Sequence, residues 1–299
     1  MRETRSRLDC AWCGAPLSEG EPLAGRIRCE RCGVSTTDPW PSESELERAY
    51  AGSYRPESGR FAGIGDAILR RTRASLARRL DRLAPPGPVL DVGAGDGALL
   101  DALQSRGRGA TGIERTSTRR DIAEADLAEM EGTWAAIVFW HSLEHLPEPG
   151  AALERAVELL APRGVLVVAA PNADSLQAAA FGDRWFALDL PRHLTHLTSA
   201  ALRERLRKLG LKIERVSYLR GGQVVFGWLD GMVGMLPGHP SFYDAIRQPA
   251  ARFTDLSGWR RAATLLAGAA VLPLALAATA VEALARRGGT VYIEARSTR

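Results

Sequence analysis

Residues 91–97 read Asp-Val-Gly-Ala-Gly-Asp-Gly, directly after the apolar Pro88-Val89-Leu90 and directly before Ala98-Leu99-Leu100-Asp101-Ala102-Leu103. The order is strand, glycine turn, helix, which is how an α/β protein brings its backbone close to a small cofactor. Glycines at 93, 95 and 97 remove Cβ atoms that would obstruct the approach, and the following helix presents unpaired N–H groups to a carboxylate or phosphate. Two cofactor classes use such a turn. The frame Gly93-x-Gly95-x-x-Ala98 also fits a dinucleotide fingerprint, which alone is weak evidence. Asp91 weighs against it, because an acid at the end of the first strand repels a pyrophosphate and suits a cofactor with a cationic amino group.

The whole Asp-x-Gly-x-Gly-x-Gly string resembles the first motif of class I S-adenosylmethionine-dependent methyltransferases. Further likenesses follow in the family's order. Gly109 to Glu114 resembles its second strand, ending in an acid 17 residues past Gly97; the resemblance implies that Glu114 takes the ribose hydroxyls. Asp126 matches the acid after the third strand, near the adenine amine. Ala135 to Trp140 is a short apolar run consistent with a buried parallel strand. It leads into His141-Ser142-Leu143-Glu144-His145, which resembles the family's "LEH" signature, and Gly164 to Ala170 is the fifth strand. The resemblance implies a Rossmann-like α/β fold with a seven-stranded sheet, and cofactor contacts from Asp91, Gly93, Gly95, Gly97, Glu114 and Asp126.

This sequence departs from the family pattern in two places. Only 11 residues separate Glu114 from Asp126, too few for a full helix and a strand. The second crossover is therefore expected to shrink to a turn, Arg115 to Arg120, leaving the adenine side more open or covered by another segment. Trp134-Ala135 stands where relatives often carry Phe-Asp.

Cys10-x2-Cys13 and Cys29-x2-Cys32 are the only cysteines, and each pair is followed by glycine, Gly14 and Gly33. Four thiolates at this spacing can converge tetrahedrally on structural Zn2+. The alternative is two disulfides. With no signal-peptide pattern ahead of them and a cytosolic type of cofactor implied downstream, zinc and a cytoplasmic setting are expected.

Of the 39 basic residues only Lys208 and Lys212 are lysine, a pattern of coding bias that makes the net charge of +4 weak evidence for nucleic acid. Leu69, Leu76, Leu80 and Leu83 share one helical stripe set among arginines. The expected reading is the helix before the first strand, packed on the sheet with solvated arginines; a phosphate- or membrane-binding face is the alternative.

The expected organisation is a zinc ribbon over 1–40, a helical lead-in over 41–84 that includes Tyr50 and Tyr54, a methyltransferase core over 85–220, an apolar helical insertion over 221–287 and a last core strand over 288–299. The tyrosines close over the cofactor or pack the lead-in onto the core. Phe181 to Leu194 resembles the "WF-x-LD-x-PRHL" segment of a bacterial methyltransferase group placed near lipid, glycan or natural-product pathways. Loops at the carboxyl ends of the strands form the ligand crevice, so the acceptor is expected there. Thr195 to Thr198 caps a helix, and Leu211 to Leu219 is the sixth strand.

Ala262 to Val281 is 20 residues without a charge, flanked by Arg260-Arg261 and Arg286-Arg287. It is long enough to cross a bilayer. The strand Gly289 to Ala295 must nevertheless return to the same sheet, so a bent hairpin around Pro273, lying against a membrane interface, is expected in place of a crossing. A buried helix or a dimer contact is the alternative. Candidate bases for a hydroxyl acceptor are His141, His193 and His145, the last equally suited to bracing its helix. The expected function is methylation, at oxygen, of a small-molecule or lipid-linked acceptor, at the cytoplasmic membrane face if the insertion makes peripheral contact. An RNA methyltransferase gripping phosphates through the ribbon and the Arg-rich helix is the first rival, although the ribbon loop Ala15 to Arg28 balances two arginines with two glutamates. A non-catalytic binding protein on the same fold is the second.

Overall fold

The computed structural model describes residues 6–51, 61, 65–220, 224–249, 252, 254, 256 and 258–299. Tyr54 lies outside them. The chain opens with three short antiparallel strands, β1 (Glu21–Leu23), β2 (Arg26–Arg28) and β3 (Ser35–Thr37). Helix α1 (Glu43–Tyr50) follows, its start fixed by a capping box in which the Ser42 hydroxyl accepts from Glu45 N while Glu45 reaches back to Ser42 N. The Arg-rich helix α2 (Gly65–Leu83) buries Leu76 and Leu80 against the sheet as expected, but leaves Leu69, which the expected stripe included, exposed.

The core is a seven-stranded mixed sheet. Its parallel part holds β4 (Val89–Val92), followed by α3 (Ala98–Gln104), then β5 (Ala110–Glu114), β6 (Ile122–Glu124) and β7 (Trp134–Trp140). Helix α4 (Pro149–Leu159) precedes β8 (Leu160–Pro171). Then come α5 (Leu176–Phe181), the two-residue β9 (Thr195–His196), α6 (Ser199–Lys208) and β10 (Leu211–Ser217). The insertion forms α7 (Val224–Gly234), α8 (Phe242–Ile246) and α9 (Gly258–Leu284), and β11 (Thr290–Ser297) ends the chain. The strand order is β10-β11-β8-β7-β4-β5-β6, with β11 antiparallel to both neighbours. Every residue of β7 is buried, which is why it reads as a continuous apolar run. Alternate residues feed two layers: Ala136, Val138 and Trp140 meet α2 and α3, while Ile137 and Phe139 meet the α4 and α6 side.

Between β5 and β6 there is no helix, so the shortened crossover is a turn as its length requires. Two features depart from expectation. The run around Pro273 is not a bent hairpin but a single 27-residue helix that keeps Pro273 inside it, and its antiparallel partner is α7. Proline removes one i→i−4 hydrogen bond without forcing a reversal when the remaining turns are held by packing on one side. The ribbon strands also do not stand apart. β3 pairs with β9, so the small sheet β1-β2-β3-β9 takes its last strand from the chain after the acceptor segment.

Candidate functional site

The glycine turn sits at the carboxyl end of β4 as a set of left-handed residues. Gly93, Gly95 and Gly97 have φ of +79°, +62° and +76°, a region that side chains disfavour. A Cβ at Gly93 would lie 2.4 Å from the Ser142 Cβ. That closeness joins two motifs that the sequence keeps 50 residues apart, and the Ser142 hydroxyl donates to Val92 O. Asp91 is buried at the end of the same strand. Glu114, at the end of β5, accepts from Gly95 N at 2.9 Å and from Arg115 N at 3.0 Å, so its carboxylate already lies against the turn. Asp126 follows β6 on an exposed rim and caps a short 3-10 turn, accepting from Ala128 N at 2.9 Å. Arg119, which the sequence reading did not single out, bonds Asp96 O and the carboxylates of Asp101 and Asp121, with its guanidinium over Gly97.

A second cluster lies just beyond β7. His141 takes φ +54°, an uncommon conformation for a non-glycine residue, and starts the loop that carries Glu144 and His145 on a 3-10 turn. The segment Trp185 to His193 folds over this loop, fastened by Leu194 N donating to Glu144 O at 2.9 Å. His145 and His193 thus stack edge to face with ring centroids 4.7 Å apart. Glu144 is 1 % exposed, with His141 Nδ1 at 3.4 Å and His193 Nε2 at 3.9 Å. Burial alone would raise its carboxyl, but His141 alongside, with His145 and His193, holds it down at about 2. Burial, reinforced by His193, pushes His145 down to about 4. Asp189 closes the far side, 3.7 Å from His193 Nε2 and clamped by Arg192. The Tyr50 hydroxyl lies 2.8 Å from His145 Nδ1, so this tyrosine reaches the histidine cluster, while the same Arg192 binds Ala49 O.

All three candidate histidines are therefore brought together. The sequence reading quoted Glu144 as part of a signature but gave it no role, and Asp189 as part of a segment. Their acid type was the available signal. What tied them to the histidines was a fold contact between residues 50 positions apart, Glu144 and Leu194.

At the N-terminus Cys10 and Cys32 Sγ lie 3.7 Å apart, as do Cys13 and Cys29 Sγ. All four cysteines are free, so neither CxxC pair is a disulfide. Four sulfurs ~2.3 Å from one tetrahedral ion stand ~3.8 Å from one another. Gly14 and Gly33 take φ of +67° and +70° just past each pair, the turn such knuckles need. The donor set fits a closed zinc site.

A family model described as a methyltransferase domain matches residues 67–216. The chain belongs to that family. It is a class I S-adenosylmethionine-dependent methyltransferase. The ubiquinone biosynthesis O-methyltransferase of Xanthomonas axonopodis pv. citri is 30 % identical over 161 residues, 46 % of this chain and 67 % of that protein. Its counterpart in Xylella fastidiosa is 31 % identical over 172 residues, 48 % of this chain and 70 % of that protein. Among solved structures, the plantazolicin methyltransferase BamL aligns over 87 % of this chain and 92 % of its own at 14 % identity, with a TM-score of 0.47.

Proposed function

We propose that this methyltransferase transfers a methyl group to a hydroxyl oxygen of a small amphiphilic acceptor, at the cytoplasmic face of a membrane. The O-methyltransferase names of its relatives support the atom. The observation that carries the placement of the reaction is the contact of Ser142 with the glycine turn, which sets the histidine cluster beside the donor site. S-adenosylmethionine supplies a methyl group already activated on a sulfonium. Asp91 and Glu114 are suited to its amino group and ribose, the turn Gly93 to Gly97 to close backbone approach, and Asp126 to the adenine rim. The chain's task is then to hold the acceptor in line and exclude water, worth several kcal/mol of the barrier.

The amphiphilic class follows from what surrounds the cluster. A cleft of about 400 Å³ beside Trp140 is lined by Ile68, Arg71, Thr72, Ser75, Arg78 and Arg220, a setting for an anionic group. Arg220 is four residues before α7. From there Phe226 and Tyr243 of the insertion meet Phe186 of the segment that covers the cluster, with ring centroids 4.9–5.7 Å apart. Helix α9 supports the membrane. Its buried side is Thr264, Gly268, Ala275, Thr279 and Glu282, whereas Leu266, Leu274 and Leu276 face outward. Small residues inward and leucines outward is the pattern of a helix whose surroundings are apolar. Zinc at Cys10, Cys13, Cys29 and Cys32 would hold the ribbon, whose strand β3 pairs with β9 beside the cluster.

The experiment is methyl transfer from labelled S-adenosylmethionine into fractionated bacterial extract. Base-stable label in organic-extractable material is the expected result. Label confined to RNase-sensitive or protein precipitate would overturn the reading and favour the nucleic-acid alternative.

A further inference from the structure

The histidine cluster gathers more acceptors around Glu144 than its single long contact with His141 Nδ1 can satisfy. His193 Nδ1 lies 2.8 Å from Ala187 O, and His145 Nδ1 lies 2.9 Å from Arg192 O. A carbonyl only accepts, so a proton on Nδ1 of each ring satisfies these contacts, with the Tyr50 hydroxyl also at His145 Nδ1, and a ring so arranged can present a lone pair at Nε2. The Nε2 of His193 faces Glu144 Oε1 at 3.9 Å and Asp189 Oδ2 at 3.7 Å. Glu144 is 1 % exposed, and among the described residues its nearest cationic neighbour is His141 Nδ1, a long 3.4 Å from Oε1, with no donor in good hydrogen-bond geometry on either oxygen. Acceptors thus face acceptors around a buried carboxylate, an arrangement that a positive ion among them would relieve.

We infer that Glu144, His145 and His193 bind a divalent first-row metal ion. One ligand atom from each lies within 4.8 Å of the others. Three ligands ~2.1 Å from a shared ion stand at most about 3.6 Å from one another, so side-chain shifts of up to roughly 1 Å close the site. Part of the outer shell is already built, because Ala187 O holds the His193 ring with Nε2 toward Glu144 and Asp189, and Arg192 both receives His145 Nδ1 at its carbonyl and fixes Asp189 as a further anion beside the cluster. Two imidazoles and one carboxylate form a face that leaves coordination positions open. His141 stands at its rim.

The role of the ion rests on the reading of the enzyme as an O-methyltransferase. The ion would make an acceptor hydroxyl entering an open position more acidic, and His141 at the rim would be placed to take its proton. The oxygen's electron pair then forms the C–O bond while the C–S bond breaks, and sulfur leaves with that pair as a neutral thioether.

Metal binding is tested apart from methyl transfer, on the full chain with its ribbon thiolates intact. Mn2+ is the probe, since soft thiolates favour Zn2+ over it. Titration followed by electron paramagnetic resonance should show one bound Mn2+ in the wild type, and Glu144→Gln and His193→Gln should each weaken binding at least about tenfold while keeping the far-UV circular dichroism. Co2+ added to the wild type, where no variant can misfold, should give a weak visible band without thiolate charge transfer. Failure of the wild type to bind either ion at this site, or unchanged Mn2+ affinity in Glu144→Gln, would overturn the proposal. If the ion binds but no O-methyl product forms with any acceptor, the metal site stands and the functional reading falls.

Discussion

At Gly93 two requirements coincide, a φ of +79° and a neighbour that leaves no room for a Cβ. Gly93→Ala is therefore expected to destabilise the fold by about 1–3 kcal/mol, read as a lowered midpoint in urea, and to weaken binding of S-adenosylhomocysteine by displacing Ser142. Glu114→Ala leaves this contact alone but removes the carboxylate that meets Gly95 N. Calorimetry should show weaker S-adenosylhomocysteine binding by about 1.5–3 kcal/mol, the range for hydrogen bonds to a charged group; unchanged affinity would remove Glu114 from the ribose site. Both residues were legible in the sequence because a glycine turn and a strand-end acid are local signals. Glu144 was not, since nothing local says that a carboxylate will be buried beside two imidazoles brought in from another segment.

Among the elements, the short strand β9 links the ribbon to the site. Thr37 Oγ1 donates to His193 O at 2.6 Å, and Thr37 N donates to Leu194 O at 3.0 Å. Extraction of ribbon zinc by a strong chelator should then raise amide exchange not only in residues 8–37 but also in 193–196, with S-adenosylhomocysteine binding retained; exchange confined to the first 40 residues would separate the ribbon from the site. The same junction gives a pH dependence. Burial, with His193 next in effect, pushes His196 down to about 3 from its ordinary value near 6.5. Below pH 6.5 the unfolded chain takes up a proton that the folded ring refuses, so stability present above that pH is lost as pH falls toward 3. From pH 7 to 5 this ring should cost about 2 kcal/mol, and His196→Gln should flatten the fall in urea midpoint by that amount. The pairing of β3 with β9 could not be read from sequence, because β9 is two residues long and carries no strand pattern. The hairpin expectation failed for a related reason: Pro273 signals a break only where tertiary packing does not override it.

The whole molecule has one surface that its interior does not account for. Helix α9 runs ~40 Å by its 27 residues. It is tied to the body near its carboxyl end, where buried Glu282 accepts from Gln177 N, Gln177 Nε2 and Trp228 Nε1. Near its amino end, Phe242 packs on Gly268 and Arg261 donates to Ala245 O. Both ends thus return to the same body, and β11 re-enters the sheet between β8 and β10, so the helix runs along the body with both of its ends held. Its free side carries Leu266 at 71 % exposure and Leu274 at 62 %, between Arg260 at one end and the Arg286-Arg287 pair at the other. Burying one leucine contributes ~1.5–3 kcal/mol, and arginines at headgroup height add attraction to anionic lipid. The full chain should float with vesicles containing anionic lipid and do so less at high salt. Leu266→Glu combined with Leu274→Glu and Leu276→Glu should keep the circular dichroism and abolish flotation, because these side chains touch little of the protein. A wild type that stays at the bottom of the gradient while the triple variant changes oligomeric state would assign this face to a second copy of the chain, and a soluble acceptor would replace the membrane-held one.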